Sequence, residues 1–246
     1  ASRTDIRIPD AQSDLLKALV KTGKPVVLLL FTGRPLDLTW ESANVPAILN
    51  VWFGGSETGD AVADVLFGKV SPSGKLTTTF PRSVGQMPLY YSQMATGRPD
   101  GDPNTFNRYA SNYIDCPNDG LYPFGFGLSY TTFEYGEMKL SSETMPKGGT
   151  INVTVPVKNT GNCDAAETVQ LYIRDKYADI ARPVKELKGF SRIFLKKGES
   201  RDVTFTIGAD ELKYYNADLV YKYDAGEFEV MVGPNSRDVQ VQSFVA

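Results

Sequence analysis

The apolar residues of this chain follow one rule before residue 81 and another after about residue 133, and few folds accommodate both. Upstream, short continuous apolar runs alternate with stripes at helical spacing. Leu15, Leu16, Leu19 and Val20 recur one turn apart, with Pro9 suited to the first turn and Gly23 ending the pattern. Val26 to Phe31, between Pro25 and Gly33, has the character of a strand buried on both faces, as in a parallel sheet. Pro46 to Phe53 is a second such run, broken by Gly54-Gly55. Ala61, Val62, Val65 and Leu66 form the next helical stripe, closed by Gly68. Helix, strand, connection, strand, helix is the order of an α/β layer. Pro72-Ser73-Gly74 marks a turn, and Leu76 to Phe80 reads as a Thr-rich, edge-like strand.

Beyond Phe133 the period is two. Ile151 to Val157, Val169 to Ile173, Val203 to Ile207, Glu227 to Val232 and Val239 to Val241 all alternate, with turn residues at Asn159 to Asn162, Lys197 to Glu199 and Ala225-Gly226. Roughly seven strands in about 110 residues predict an immunoglobulin-like sandwich. The segment in between shows no clear period and is rich in Pro, Gly, Asn and Tyr, with Tyr90, Tyr91, Tyr109, Tyr113 and Tyr122 among them. Stretches this long are functional or wrap a surface. The tyrosines either line a carbohydrate site or form an inter-domain wrap that buries rings and wets hydroxyls, and the wrap is the favoured reading. The boundaries drawn are 1–82 for the α/β part, 83–132 for the connecting segment and 133–246 for the sandwich.

Composition removes several chemistries. The 246 residues include no His, which excludes Ser-His-Asp and Cys-His catalysis and His-ligated zinc or haem within the chain. Two cysteines, Cys116 and Cys163, are too few for a disulfide scaffold or a four-thiolate metal site, and pair only if the fold brings them together. Lys+Arg is 26 against Asp+Glu 29, so no basic excess is available to neutralise nucleic-acid phosphates. No apolar run approaches the roughly 20 residues of a membrane-spanning helix. The polar start, without Met or a signal-like segment, reads as an excised or processed piece.

Individual motifs are weak alone. Gly54 to Gly59 follows a strand and opens a helix, where phosphate loops sit, but Asp60 and Ala61 replace the Lys and Ser/Thr such loops need. The plainer reading is a tight turn with Ser56 or Thr58 as N-cap and Glu57 or Asp60 favoured by the helix dipole. Glu57 and Asp64 are the carboxylates one would try as a glycosidase pair, although capping and solvation explain both. Arg34 stands at the carboxyl end of a buried strand, where open α/β sheets bind ligands, and serves there or in an ion pair within the fold, the latter preferred. Trp52-Phe53 ends the next strand and makes a sugar-stacking platform or, preferably, an aromatic plug between the sheet and a neighbouring domain.

Taken in order, the motifs are specific. Gly23-Lys24-Pro25-Val26-Val27, Gly33-Arg34-Pro35-Leu36 and Trp52 to Gly59 come first. Ala63 to Gly68, Pro72 to Leu76, Phe80 to Gln86 and Thr96-Gly97-Arg98-Pro99 follow. Leu121 to Tyr130, Val169 to Tyr172, Arg182 to Phe190 and Lys197-Gly198-Glu199 complete the series. This series resembles the carboxy-terminal half of bacterial glycoside hydrolase family 3 β-glucosidases, above all the periplasmic group, over essentially the whole chain.

The resemblance implies an incomplete α/β sandwich domain followed by a fibronectin type III-like domain, so an α/β plus all-β protein. It implies the carboxy-terminal portion of a retaining β-glucosidase acting on terminal β-D-glucosyl residues. A non-catalytic carbohydrate- or protein-binding module is the alternative. The implied partners are an upstream (β/α)₈ barrel of the same enzyme and a β-glucoside, with no nucleic acid, membrane, metal or organic cofactor, and a homodimer left open. Location in the periplasm or outside the cell is implied as well. In similar enzymes the nucleophile is an Asp of the barrel and the acid/base a Glu shortly before the position of Ser2-Arg3. Neither catalytic role therefore falls on a residue of this chain, which alone is expected to be inactive. Arg3, beside that Glu, and Arg98, on a long loop, are the substrate-binding candidates. An α/β layer with only two or three parallel strands is further expected to expose more apolar surface than a monomer usually shows.

Overall fold

The computed structural model describes residues 3–98 and 107–246, and its α/β plus all-β architecture divides into two compact units. The first holds residues 3–69, 78–89 and 107–123, the second 70–77, 90–98 and 124–246. The segment expected to connect two domains, 83–132, is thus shared between the units, and residues 70–77 pack with the second rather than the first.

In the first unit, helix α1 (Asp10–Lys21) leads to strand β1 (Val27–Leu30), helix α2 (Thr39–Asn44), strand β2 (Ala47–Asn50) and helix α3 (Thr58–Leu66). The strands pair in parallel, Val27 opposite Ala47 through Leu30 opposite Asn50. Gly23 ends α1 at φ 72°, a left-handed conformation that costs glycine little. Helix α2 lies inside the expected connection. Its six residues are too few to print a periodic stripe, and the Asp37 carboxylate starts it by accepting from the Thr39 N–H (3.0 Å) and hydroxyl (2.7 Å). Among the described residues the buried hydrophobic side chains of this unit are Ile6, Ile8, Leu16, Leu30, Leu38, Val45 and Phe80.

Two expectations fail here for identifiable reasons. Residues 76–80 form no regular strand. Within the first unit Phe80 N–H donates to Tyr122 O and Leu121 N–H to Phe80 O, and within the second Leu76 N–H donates to Phe126 O. Between these pairs stands Pro123, which has no N–H to continue a ladder. Helix α3 takes neither Ser56 nor Thr58 as N-cap. Glu57 holds that position without a side-chain cap, while the Thr58 hydroxyl donates back to Gly55 O at 2.6 Å.

The second unit is a sandwich. Strands β3 (Phe133–Tyr135), β4 (Lys139–Leu140), β5 (Ile151–Asn159), β6 (Ala165–Asp175), β7 (Glu186–Leu195) and β8 (Ser200–Ile207) come first. Helix α4 (Ala209–Leu212) then precedes β9 (Tyr214–Tyr215), β10 (Tyr221–Lys222), β11 (Glu227–Gly233) and β12 (Gln240–Val245). One sheet runs β12-β11-β6-β7, and the other sets β3 and β4 along one edge of β5 with β8 along its other edge. The period-two residues meet between the sheets: Ile151, Val153, Val155 and Val157 of β5 pack with Val169, Leu171 and Ile173 of β6 and with Phe228, Val230 and Val232 of β11. The Asn159 amide, fully buried, closes one end of this core by donating to Cys163 O (2.8 Å) and Leu195 O (3.2 Å) and accepting the Thr131 hydroxyl (2.6 Å).

The outer face of β6 is also covered, by the tyrosine-bearing segment. Tyr91 stacks on Phe124 (4.2 Å between ring centroids) and meets Tyr172 edge-on at 5.8 Å. The Tyr172 hydroxyl donates to Gln170 Oε1 at 2.6 Å, and the Gln170 amide donates to Gly125 O and Pro234 O. Tyr91 thus packs within this unit, whereas Tyr90 and Tyr130 are exposed. Cys116 and Cys163 are both free thiols.

Candidate functional site

The carboxyl end of the parallel pair in the first unit is where an open α/β sheet presents groups to a ligand. Leu30 and Asn50 end β1 and β2 side by side, and Val51 N–H donates to Leu30 O at 2.8 Å, so the two strands stay together to their last residues. Beyond them the chain turns in two loops, 31–35 and 51–55.

The first loop is tied by Thr32, whose hydroxyl donates to Arg34 O at 2.8 Å. The Arg34 side chain then reaches the segment before α1 and donates from Nη2 to the carbonyl of Arg3. The ion pair expected for Arg34 is replaced by this bond to a backbone carbonyl. The contact has support two turns of backbone away: Asp37 N–H donates to Ile6 O at 3.1 Å, and Arg7 bridges Asp37 in parallel. The Asp5 carboxylate holds Arg7 at 2.7 Å, and that guanidinium draws the Asp5 pKa down to about 2. Arg3 is thereby carried to the sheet's carboxyl edge with its own side chain exposed.

The second loop carries the aromatics. Trp52 adopts φ 56°, a left-handed conformation that a bulky residue takes only when its surroundings impose it. Its ring lies 5.9 Å from Phe80, which meets Tyr122 edge-on at 6.3 Å, and Tyr122 Oη donates to Ser42 Oγ. Trp52 thus packs, half-buried, within its own unit. Phe53 points the other way and is 81% exposed. A Cβ at Gly33 would lie 2.8 Å from the Phe53 ring, so the two loops approach each other closely here. At the base of this crest the Asn50 side-chain amide has both its nitrogen and its oxygen buried without a partner. Nothing in the one-dimensional pattern marks Asn50, the Arg34–Arg3 bond or the left-handed Trp52; all three depend on which loops meet.

The carboxylates tried as a pair do not make one. Asp64 is bound to Lys69 at 2.9 Å, and Glu57 is exposed at the N-cap of α3. Arg98 lies in the second unit, exposed, with its backbone N–H bonded to the Thr96 hydroxyl at 3.3 Å. Among the described residues no group of three or more His, Cys, Asp or Glu could hold a metal ion, and no helix is long and apolar enough to cross a membrane.

Comparison with known proteins covers both units. Residues 1–130 match the Glycosyl hydrolase family 3 C-terminal domain, and residues 167–236 match the Fibronectin type III-like domain. A periplasmic beta-glucosidase of Salmonella typhimurium is 50% identical over 244 residues, which is 99% of this chain and 32% of that protein. A beta-xylosidase of Formosa agariphila is 46% identical over 235 residues, 96% of this chain and 31% of the relative. The crystal structure of a beta-glucosidase from Listeria innocua in complex with glucose superposes with TM-score 0.91 at 42% identity, covering 98% of this chain and 33% of that one. The chain spans about a third of the length of the relatives it matches.

Proposed function

The chain belongs to glycoside hydrolase family 3, and on that premise we propose that it is the carboxy-terminal portion of a retaining β-glucosidase that removes terminal β-D-glucosyl residues. The observation that carries the reading is a single likeness, 50% identical, that runs unbroken through both units to a protein named for that activity. Retaining hydrolysis needs one carboxylate to attack the anomeric carbon and a second to protonate the leaving oxygen and later activate water. Neither is assigned to these 246 residues. The first belongs to an upstream (β/α)₈ barrel, and the second precedes Arg3 in the longer chain.

In this reading the α/β unit forms one wall of the active site. Arg34 holds the backbone at Arg3, which fixes the approach of the acid/base preceding it, and the exposed Arg3 guanidinium faces the sugar. Arg98 is the second substrate contact. The exposed Phe31 and Phe53 support the reading, because apolar side chains left in water beside the carboxyl edge suit a face that more protein covers. The likeness to a protein named periplasmic supports export from the cytoplasm.

The test is hydrolysis of aryl β-glucosides by the full-length protein and by the 246-residue chain. The full-length protein should release glucose with a covalent glycosyl intermediate, and Arg3→Ala within it should lower kcat/KM about tenfold or more. The short chain should be inert. Enzyme-like turnover by the purified short chain would overturn the assignment. The likeness at 46% identity to a protein named beta-xylosidase favours a second substrate, so an aryl β-xyloside belongs beside the glucoside in the same assay.

A further inference from the structure

The sheet β12-β11-β6-β7 of the second unit ends in two edge strands, and its two edges are treated differently. The β12 edge is covered. Val245 N–H donates to Glu143 O at 2.9 Å and Met145 N–H to Val245 O at 2.7 Å. Further along, Met138 N–H donates to Gln240 Oε1 at 2.8 Å and Gln242 Nε2 to Met138 O at 2.7 Å. The β7 edge is tied only at its ends, where Leu187 N–H donates to Tyr91 Oη and Leu195 O accepts from the Asn159 amide. Among the described residues, the backbone of 188–194 makes no hydrogen bond except along β6. An antiparallel strand turns alternate N–H and C=O groups away from its neighbour, so this stretch presents a row of free donors and acceptors.

The side chains of β7 do not guard this edge. Ile193 and Leu195 face the core, so Phe190, Arg192 and Phe194 share the outer face. The two phenylalanines are 68% and 55% exposed. An edge strand that stays single carries charge at such positions, as β8 does at the edge of the other sheet with the exposed Arg201 and Asp202. On β7 the one outer charge is Arg192, whose Nη2 donates to Ser73 Oγ at 3.0 Å. The run Phe190-Ser191-Arg192 complements itself. Two copies paired antiparallel about Ser191 set Phe190 opposite the partner's Arg192 and Arg192 opposite the partner's Phe190, which makes two cation–π pairs. The neighbouring registers lack this match. Centring on Phe190 sets Lys188 against the partner's Arg192, and centring on Arg192 sets two arginines against each other. Centring on Gly189 runs the pair into the bulge opposite Leu171 and Tyr172. One favourable register, repeated by a two-fold axis, is what an isologous dimer needs.

We propose that the β7 edge is a dimer interface, where a second copy of this chain adds its own β7 antiparallel and the sheet continues through both molecules. The argument uses the second unit alone and stands apart from the hydrolytic reading, since it requires association and no turnover. The test is sedimentation velocity of the full-length protein over a range of concentrations, together with thiol cross-linking. We expect a concentration-dependent dimer. A short bismaleimide should join two chains through Ser191→Cys but not through Thr204→Cys on β8, with the parent and its Cys116 and Cys163 as the control. Phe190→Lys sets a like charge against the partner's Arg192 at two places and should raise the dimer dissociation constant about tenfold or more. Phe190→Glu sets an opposite charge there and should keep the dimer. Both variants change a side chain that already faces solvent, so the melting temperature of the dilute protein should stay at the parent's value, which guards against a folding defect. The proposal fails if the full-length protein stays monomeric, if the two Phe190 variants behave alike, or if a dimer forms that Ser191→Cys does not cross-link. Slow hydrogen exchange at every amide of 189–193 in the dilute monomer would also overturn it, because upstream protein would then cover the edge.

Discussion

At the scale of single residues, the second unit depends on one buried charge cluster. Lys75 Nζ lies 3.0 Å from Glu167 Oε1 and donates to Gly127 O at 3.2 Å, and the Tyr135 hydroxyl donates to the same Glu167 oxygen at 2.9 Å. Removing Glu167 leaves the buried Lys75 ammonium with the Gly127 carbonyl in place of a carboxylate and takes the acceptor from the Tyr135 hydroxyl. Glu167→Ala should therefore lower stability by about 3–5 kcal/mol in urea denaturation. Lys75→Met combined with Glu167→Leu should recover most of that loss, because apolar groups fill the site without stranding a charge. Tyr135 adds a pH dependence of definite sign. Burial, and then the neighbouring Glu167, raise its pKa above the ordinary 10.0. The folded protein thus keeps a proton that the unfolded chain gives up near pH 10.0, so this stability is whole below that pH and drains away above it. Stability measured across the alkaline range should fall less steeply in Tyr135→Phe than in the parent. Tyr172, raised by burial and by Tyr91, contributes in the same direction. None of this is legible along the chain. Glu167 stands between Ala166 and Thr168 like a solvent-facing strand residue, and its partner Lys75 is 92 positions away.

At the scale of elements, the sequence pattern reads well where periodicity is the cause of structure and poorly where a close approach is. The alternation from Ile151 to Val157 carries its own burial and β5 forms there, and α3 forms over the stripe from Ala61 to Leu66, whose residues stay half-buried or exposed. The 76–80 stretch has strand composition, yet its partner includes Pro123, and the ladder breaks. Two glycines make the contrast measurable. Gly59 sits in α3 with open space around its α-carbon, so Gly59→Ala should gain roughly 0.5–1 kcal/mol from helix propensity alone. Gly233 ends β11 where an added Cβ would stand 2.0 Å from the Asp238 carbonyl oxygen, a backbone atom that has no rotamer to yield. Gly233→Ala should cost about 1–3 kcal/mol or more. Thermal melts of the two variants should move in opposite directions, and a common direction would show that the local environments are misjudged.

At the scale of the whole molecule, family membership was legible because many short motifs keep their order over the length of the chain, while the site was legible only in part. Arg3 is a candidate through the family resemblance alone, and the bond to its carbonyl comes from Arg34, in the loop after β1 and 31 residues later. What the α/β unit leaves uncovered follows from the same two-stranded geometry. Leu15 and Leu19, one turn apart on α1, are exposed, as are Val27 of β1 and Phe31 after it, and Phe53 and Phe67 are 81% and 88% exposed. Such side chains gain roughly 1.5–3 kcal/mol each when they leave water, less whatever they already bury. The 246-residue chain should accordingly self-associate with rising concentration in sedimentation equilibrium and brighten an apolar dye. Changing Phe31, Phe53 and Phe67 together to Ser should weaken the association by about two orders of magnitude or more while leaving the fold intact, since all three already face solvent. A parent chain that stays monomeric and dark to the dye at every concentration would mean that these side chains close over one another in solution, and the carboxyl edge would then not be a surface awaiting more protein.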